Sequence, residues 1–139
     1  MPNPIRVVLD TNILLSACLK PRGNEAQVIA LALRGEIVPC VSPAIEAEYR
    51  DVLFRPKFAA MQEQAARLLA ALEPRFFRVD PQFQLALATD EDDNRFLECA
   101  QASAAAFLIT GNLRHYPAVS GATAIVNARI FLRLTSQPY

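Results

Sequence analysis

Histidine, glycine and cysteine are scarce in this chain: 139 residues include 1 His, 4 Gly and 3 Cys, and there is no tryptophan. Each scarcity removes a class of chemistry. The few glycines form neither the phosphate-binding glycine fingerprint nor a Walker loop, so a nucleotide-binding α/β domain has little to rest on. Cys18, Cys40 and Cys99 are odd in number and far apart, without the short paired spacing of a zinc site, and read as buried, reduced thiols. Charge of one sign is also missing. Lys and Arg number 14 against 14 Asp and Glu, so no global positive field attracts polyanions, and contact with nucleic acid would need a local basic patch. No apolar run approaches the roughly 18 residues of a membrane span, and the N-terminal MPNPIRVV has no long apolar stretch behind a basic one. The expectation is a cytoplasmic protein without membrane contact.

What remains is the composition of one globular domain, 1–139, with 53% hydrophobic and 20% charged residues and neither a low-complexity tract nor a linker. Ile5 to Leu9 is a continuous β-branched and aliphatic run, as expected of a parallel strand buried on both faces. "TNILLSACL" follows without a breaker, and "NEAQVIALALRG" reads as a second helix with Asn24 as N-cap and Gly35 at its end. "EIVPCVS" is a strand that Pro39 directs toward a sheet edge, since proline cannot donate to the ladder. Ser42-Pro43 opens a helix through "AIEAEYRDVLF", and Phe58 to Leu72 predicts another. Residues 76–79 form a short strand, 80–89 a connection, and "DEDDNRFLECAQASAA" a helix with acidic residues where its dipole favours them. "AFLITG" and "TAIVN" are strands, and "ARIFLRL" a last short helix. Strands alternating with helices predict an α/β fold with a mostly parallel sheet covered on both faces.

Open parallel sheets bind ligands beyond the carboxyl ends of their strands. Asp10 ends the first strand there, Asn112 follows "FLITG", and the acidic cluster 90–93 opens the helix before that strand. Glu48 lies on the helix after the second strand; Glu46, two residues away, faces elsewhere, and periodicity does not say which of the two points inward. Asp90 and Asp93, three apart on one helical face, could share a cation. Carboxylates that converge raise one another's pKa unless a cation intervenes, and an all-oxygen donor set favours Mg²⁺ or Mn²⁺ over zinc. Such ions suit phosphodiester hydrolysis.

Singly, each residue has a commoner structural use: Asp10 or Asn12 as a helix cap, the 90–93 cluster as dipole complement, Glu46 and Glu48 as a solvated face, His115 as a loop residue. Their conjunction favours a site. Thr11 is positioned to hold the Asp10 carboxylate through its hydroxyl, Asn12 to cap or support it, and Lys20, Arg22, Arg55, Lys57 and Arg114 to meet phosphates at the rim.

The segments "RVVLDTNILLSA", "VSPAIEAEYRDVLFRPKF", "DEDDNRFLECA", "FLITGNLRHYP" and "IVNARIFLRL" together resemble PIN-domain proteins of the group that supplies toxins to bacterial type II toxin–antitoxin pairs. The resemblance covers nearly the whole chain. It implies a three-layer α/β/α fold and a Mg²⁺- or Mn²⁺-dependent endoribonuclease, held by a small antitoxin and forming a homodimer or higher homo-oligomer. By position it carries catalytic, metal-binding roles onto Asp10, Glu48 and Asp93, with Asp90 as a further ligand and Thr11, Asn12, Thr110, Asn112 and Arg114 as supporting or substrate-contacting residues. The apolar helices at 24–34 and 58–72 offer faces for self-association. Two positions depart from the family pattern: Asn112 stands where many relatives have Asp, and Ala106 where an Asp commonly precedes the strand. These departures support an alternative, a catalytically weak or silent PIN-fold module that binds RNA or a protein partner.

Overall fold

A computed structural model of the chain describes residues 4–136. The strand β1 (Ile5–Leu9) lies between β2 (Ile37–Val41) and β4 (Phe107–Ile109), both parallel to it, with Val7 opposite Pro39 on one side and Phe107 on the other. Adding β3 (Phe77–Arg78), β6 (Thr123–Val126) and β5 (Val119–Ser120) gives the order β3-β2-β1-β4-β6-β5, in which only the β5–β6 pair is antiparallel. Successive strand residues point to opposite faces, yet Val7, Val8 and Leu9 are all buried, so both faces of the central strand are covered. This is the expected α/β architecture with a mostly parallel sheet between helical layers.

Among the described residues six helices supply the cover: α1 (Thr11–Leu19), α2 (Asn24–Leu33), α3 (Pro43–Leu53), α4 (Gln62–Leu72), α5 (Asn94–Ser103) and α6 (Ala128–Thr135). The helix α5 packs on β1, β2 and β4, while α1 packs with α2, α3 and α4. Phe131 of α6 meets Phe107 of β4 edge to face at 5.3 Å, and Phe96 of α5 is fully buried. Among the described residues no helix is long and apolar enough to cross a membrane; Met1–Asn3, part of the N-terminal stretch read above, lie outside them.

Local chemistry shifts several expected boundaries. Pro39 does not put β2 at an edge, because β3 pairs only with Cys40 and Val41 and leaves Pro39 a strand neighbour on one side only. Gly23, in extended conformation, is the N-cap of α2 in place of Asn24, and Gly35 adopts the left-handed φ of +77° just beyond its end. The predicted helix over 58–72 is divided into a 3₁₀ turn (Pro56–Met61) and α4, with Phe58 non-helical. The apolar residues expected to offer self-association faces are largely core: Val28, Ile29 and Ala32 of α2, and Ala65, Leu69 and Leu72 of α4, are buried. The exposed large apolar side chains among the described residues are instead Ile5, Leu19, Phe77, Leu87, Leu113, Val119, Ile130 and Leu134. The two-residue strand β5 had no legible signal.

Candidate metal centre

Parallel pairing brings the carboxyl ends of β1 and β4 together, and the first residue past each carries a polar side chain. Asp10 N–H donates to the Ile109 carbonyl (2.9 Å), continuing the ladder one residue beyond β1. Asp10 is also the backbone N-cap of α1, its carbonyl accepting from Ile13 N–H at 2.9 Å, but its carboxylate makes no capping bond. That carboxylate, buried, accepts on Oδ2 from the Thr110 hydroxyl (2.8 Å) and the Tyr116 hydroxyl (3.0 Å). Burial pushes the Asp10 carboxyl up, against the pull of these two donors.

The second carboxylate comes from α3. Ser42 caps this helix, its Oγ accepting from Ile45 N–H, and Pro43 sits at the first helical position. Tyr49, fully buried, donates its hydroxyl to the Leu9 carbonyl at 2.6 Å and so ties α3 to the residue before Asp10. With that face inward, Glu48 accepts from the Thr11 hydroxyl. Thr11 therefore holds Glu48, not Asp10 as expected from adjacency. Glu46 turns away to Arg78 on β3 at 2.8 Å, which resolves the choice left open by periodicity. Burial raises the Glu48 carboxyl, and the charges of Asp10, Asp93 and Asp92 raise it further, while the Thr11 hydroxyl opposes them.

The third comes from the start of α5. Residues Glu91–Asp93 form a 3₁₀ turn, closed by Asp93 N–H donating to the Asp90 carbonyl at 3.0 Å, and α5 begins at Asn94. Asp90 is exposed and caps the turn, accepting from Asp92 N–H at 3.1 Å; it affects Asp93 through its charge. Asp93 Oδ2 lies 3.3 Å from His115 Nδ1. Burial and repulsion by Asp10 and Asp90 push the Asp93 carboxyl up to about 6, with His115 opposing them.

Around this trio, Asn12 Oδ1 accepts from Gly111 N–H (2.9 Å), so a Cβ at Gly111 would press on that amide at 3.3 Å. Asn112 N–H donates to the Thr110 hydroxyl oxygen at 3.0 Å. Asn112, Arg114 and His115 line a cleft with Gly111, Leu113 and Asn127. Arg55 is paired with Asp51. Ala106 belongs to the opposite end: its N–H donates to the Arg6 carbonyl, and it lines a hollow with Pro4, Arg6, Val38, Phe77 and Ala104. Four residues of strand, roughly 13 Å, separate it from Thr110. An Asp at that position would not join Asp10, Glu48 and Asp93, so Ala106 removes nothing from them.

Sequence reasoning missed Tyr116 and treated His115 as a loop residue. Both belong to the turn after β4, and the available signal was their position five and six residues past Thr110, near enough to fold back over the strand ends.

Glu48 and Asp93 both feel the charge of Asp10, yet each of the three carboxylates is turned onto a different hydroxyl or imidazole of the protein. Among the described residues no three His, Cys, Asp or Glu side chains are gathered closely enough to hold an ion by themselves. The donor set still suits a hard divalent cation, since Mg²⁺ keeps several waters and needs only one or two carboxylates directly. A cation would also relieve the repulsion that raises these pKa values.

A mixed, mostly parallel sheet with carboxylates at its carboxyl edge defines the class, and the PIN-domain family model matches residues 6–114. The chain belongs to the PIN-domain family, whose members are typically nucleases. It is 31% identical over 111 residues to Uncharacterized protein MJ1680 of Methanocaldococcus jannaschii, covering 78% of this chain and 71% of that protein. Its fold is similar to VapBC2 from Rickettsia felis, solved bound to a DNA fragment from their promoter (TM-score 0.60, 18% identity, 88% of this chain and 98% of that one). It is also similar to the PIN domain endonuclease Utp24 (TM-score 0.50, 18% identity, 81% and 75% of the two chains).

Proposed function

We propose that this protein is a Mg²⁺- or Mn²⁺-dependent endoribonuclease and the toxin of a toxin–antitoxin pair, acting in the cytoplasm. One observation carries the reading: carboxylates from three separate elements, Asp10, Glu48 and Asp93, converge at the carboxyl end of the sheet, where the charge of Asp10 raises the pKa of both Glu48 and Asp93. A structural cap or a solvated face has no reason to accumulate that repulsion. Asp10, Glu48 and Asp93 would hold the ion, which when bound supplies an activated water and charge stabilisation for the departing oxygen. Thr110 and Tyr116 hold the Asp10 carboxylate, Thr11 holds Glu48, and His115 faces Asp93. Arg114, exposed on the cleft wall, is suited to a substrate phosphate. The similarity to VapBC2 supports a small antitoxin as partner, and a homodimer is part of the same reading.

The test is Mn²⁺ titration by calorimetry on wild type and Asp10→Asn, with cleavage of a mixed RNA pool followed in the same buffers. Binding and cleavage in the wild type, both lost in the variant, are expected. Asn112 favours the alternative of a silent module, because it leaves the site one charge poorer than in many relatives. Metal binding without cleavage would select that alternative, and cleavage that survives Asp10→Asn or needs no metal would overturn the proposal.

A further inference from the structure

The loop after β4 does more than close the chain onto β6. Leu113–His115 form a 3₁₀ turn, with His115 N–H bonded to the Asn112 carbonyl (3.0 Å) and Tyr116 N–H to the Leu113 carbonyl (3.3 Å). The turn is anchored on its other side by Thr89 N–H, which donates to the His115 carbonyl at 2.8 Å. Pro117 then restricts the residue before it to extended backbone, and Tyr116 has φ −124° and ψ 155°. Its backbone is thus fixed from both directions. Its ring is buried, and its hydroxyl reaches Asp10 Oδ2 at 3.0 Å. A buried tyrosine hydroxyl needs a partner, but this one joins a carboxylate that Thr110 already serves at 2.8 Å.

Both hydroxyls converge on the same oxygen. Two donors on Oδ2 oppose rotation of the carboxylate about its Cβ–Cγ bond and leave Oδ1 as the oxygen that neither hydroxyl takes. A carboxylate used for metal binding is commonly oriented by hydrogen bonds of this kind, and losing such a bond weakens metal affinity by roughly 10- to 100-fold. From this convergence we infer that Tyr116 is a positioning residue: with Thr110 it fixes the orientation in which the Asp10 carboxylate would meet the cation. The inference rests on the proposed metal-dependent activity and adds to it a residue 106 positions away in sequence whose role is exerted through Asp10.

The test compares wild type with Tyr116→Phe, Thr110→Val and Thr110→Ser. Phe keeps the buried ring and removes only the donor; Ser keeps the hydroxyl at position 110 and Val removes it. Mn²⁺ affinity is read by calorimetry, RNA cleavage is separated into kcat and KM, and thermal midpoints are taken without metal. Tyr116→Phe and Thr110→Val are each expected to weaken Mn²⁺ binding about 10-fold and to lower kcat with KM for RNA little changed, whereas Thr110→Ser stays near wild type. If Tyr116→Phe changes only the thermal midpoint and leaves Mn²⁺ affinity within about twofold, Tyr116 is a packed tyrosine and the inference falls while the nuclease reading stands. If the wild type itself binds no Mn²⁺, both fall together.

Discussion

His115 Nδ1 lies 3.3 Å from Asp93 Oδ2, joining the turn after β4 to the turn that opens α5. The contact links the only histidine of the chain to one of the three carboxylates gathered at the carboxyl end of the sheet. Asp93 titrates at about 6, raised first by burial and then by Asp10 and Asp90. A divalent ion competes with that proton. Mn²⁺ affinity is therefore expected to be nearly flat from pH 8 down to the neighbourhood of 6.5, and below 6 to fall by up to about 10-fold per pH unit. Calorimetric titrations at half-unit steps check it; an affinity unchanged at pH 5 would remove Asp93 from the metal site.

The same shift sets a stability cost. The Asp93 carboxyl titrates at about 6 in the folded chain against an ordinary 3.8, so the fold binds its proton more tightly than the unfolded chain does. The ionised form is thus penalised: the penalty is absent below about 3.8, grows as pH rises through the window to 6, and is complete above it. Without metal at pH 7.5, Asp93→Asn should stabilise the protein by roughly 1–2 kcal/mol after allowance for solvent screening, and the gain should shrink at pH 5. Excess Mn²⁺ should reverse the order, raising the thermal midpoint of the wild type and not of the variant. Thermal scans at both pH values, with and without metal, read all three effects.

How far the sequence reveals this site depends on whether a residue is positioned locally or by distant partners. Ile5–Leu9 and Asp10 were legible because an unbroken β-branched run predicts a doubly covered strand whose end falls at the ligand edge. Ser42-Pro43 announced α3 by the chemistry of a helix start. Periodicity could not separate Glu46 from Glu48, because the decision comes from Arg78 on β3 and Thr11 on α1. The 3₁₀ turns at Pro56–Met61 and Glu91–Asp93 share their residue preferences with a helical first turn, so Phe58–Met61 and Glu91–Asp93 read as helix from sequence. Tyr116 reaches Asp10 across 106 residues, a contact no local pattern encodes.

Tyr49 offers a test of how rigidly the strand end is held. Its hydroxyl donates to the Leu9 carbonyl at 2.6 Å from a fully buried ring, one residue before Asp10. Tyr49→Phe removes the donor and leaves that carbonyl without it in a dry environment, which should cost roughly 1–3 kcal/mol. The ring stays, so the core is not emptied. Chemical denaturation should show a lower midpoint with an unchanged slope. A variant as stable as the wild type would mean that the Leu9 carbonyl finds another donor when the hydroxyl is gone.

Glu46 and Glu48 sit two residues apart on one helix and make opposite predictions. Glu46 pairs with Arg78, whose side chain is 53% exposed, and an ion pair at such a surface contributes at most about 1 kcal/mol. Glu46→Gln should leave RNA cleavage and Mn²⁺ affinity unchanged and shift the thermal midpoint by no more than a few degrees. Glu48 instead accepts from Thr11 and shares the field of Asp10 and Asp93. Glu48→Gln keeps the shape and the Thr11 contact but removes the charge, so cleavage should fall by at least about 100-fold, the scale of losing one well-placed electrostatic group. Because that charge is also a source of repulsion, the metal-free Glu48→Gln protein should be no less stable than the wild type. Measuring both variants side by side for cleavage and melting separates a working carboxylate from a surface one, and equal activity in the two would mean that the α3 contribution to the site has been misassigned.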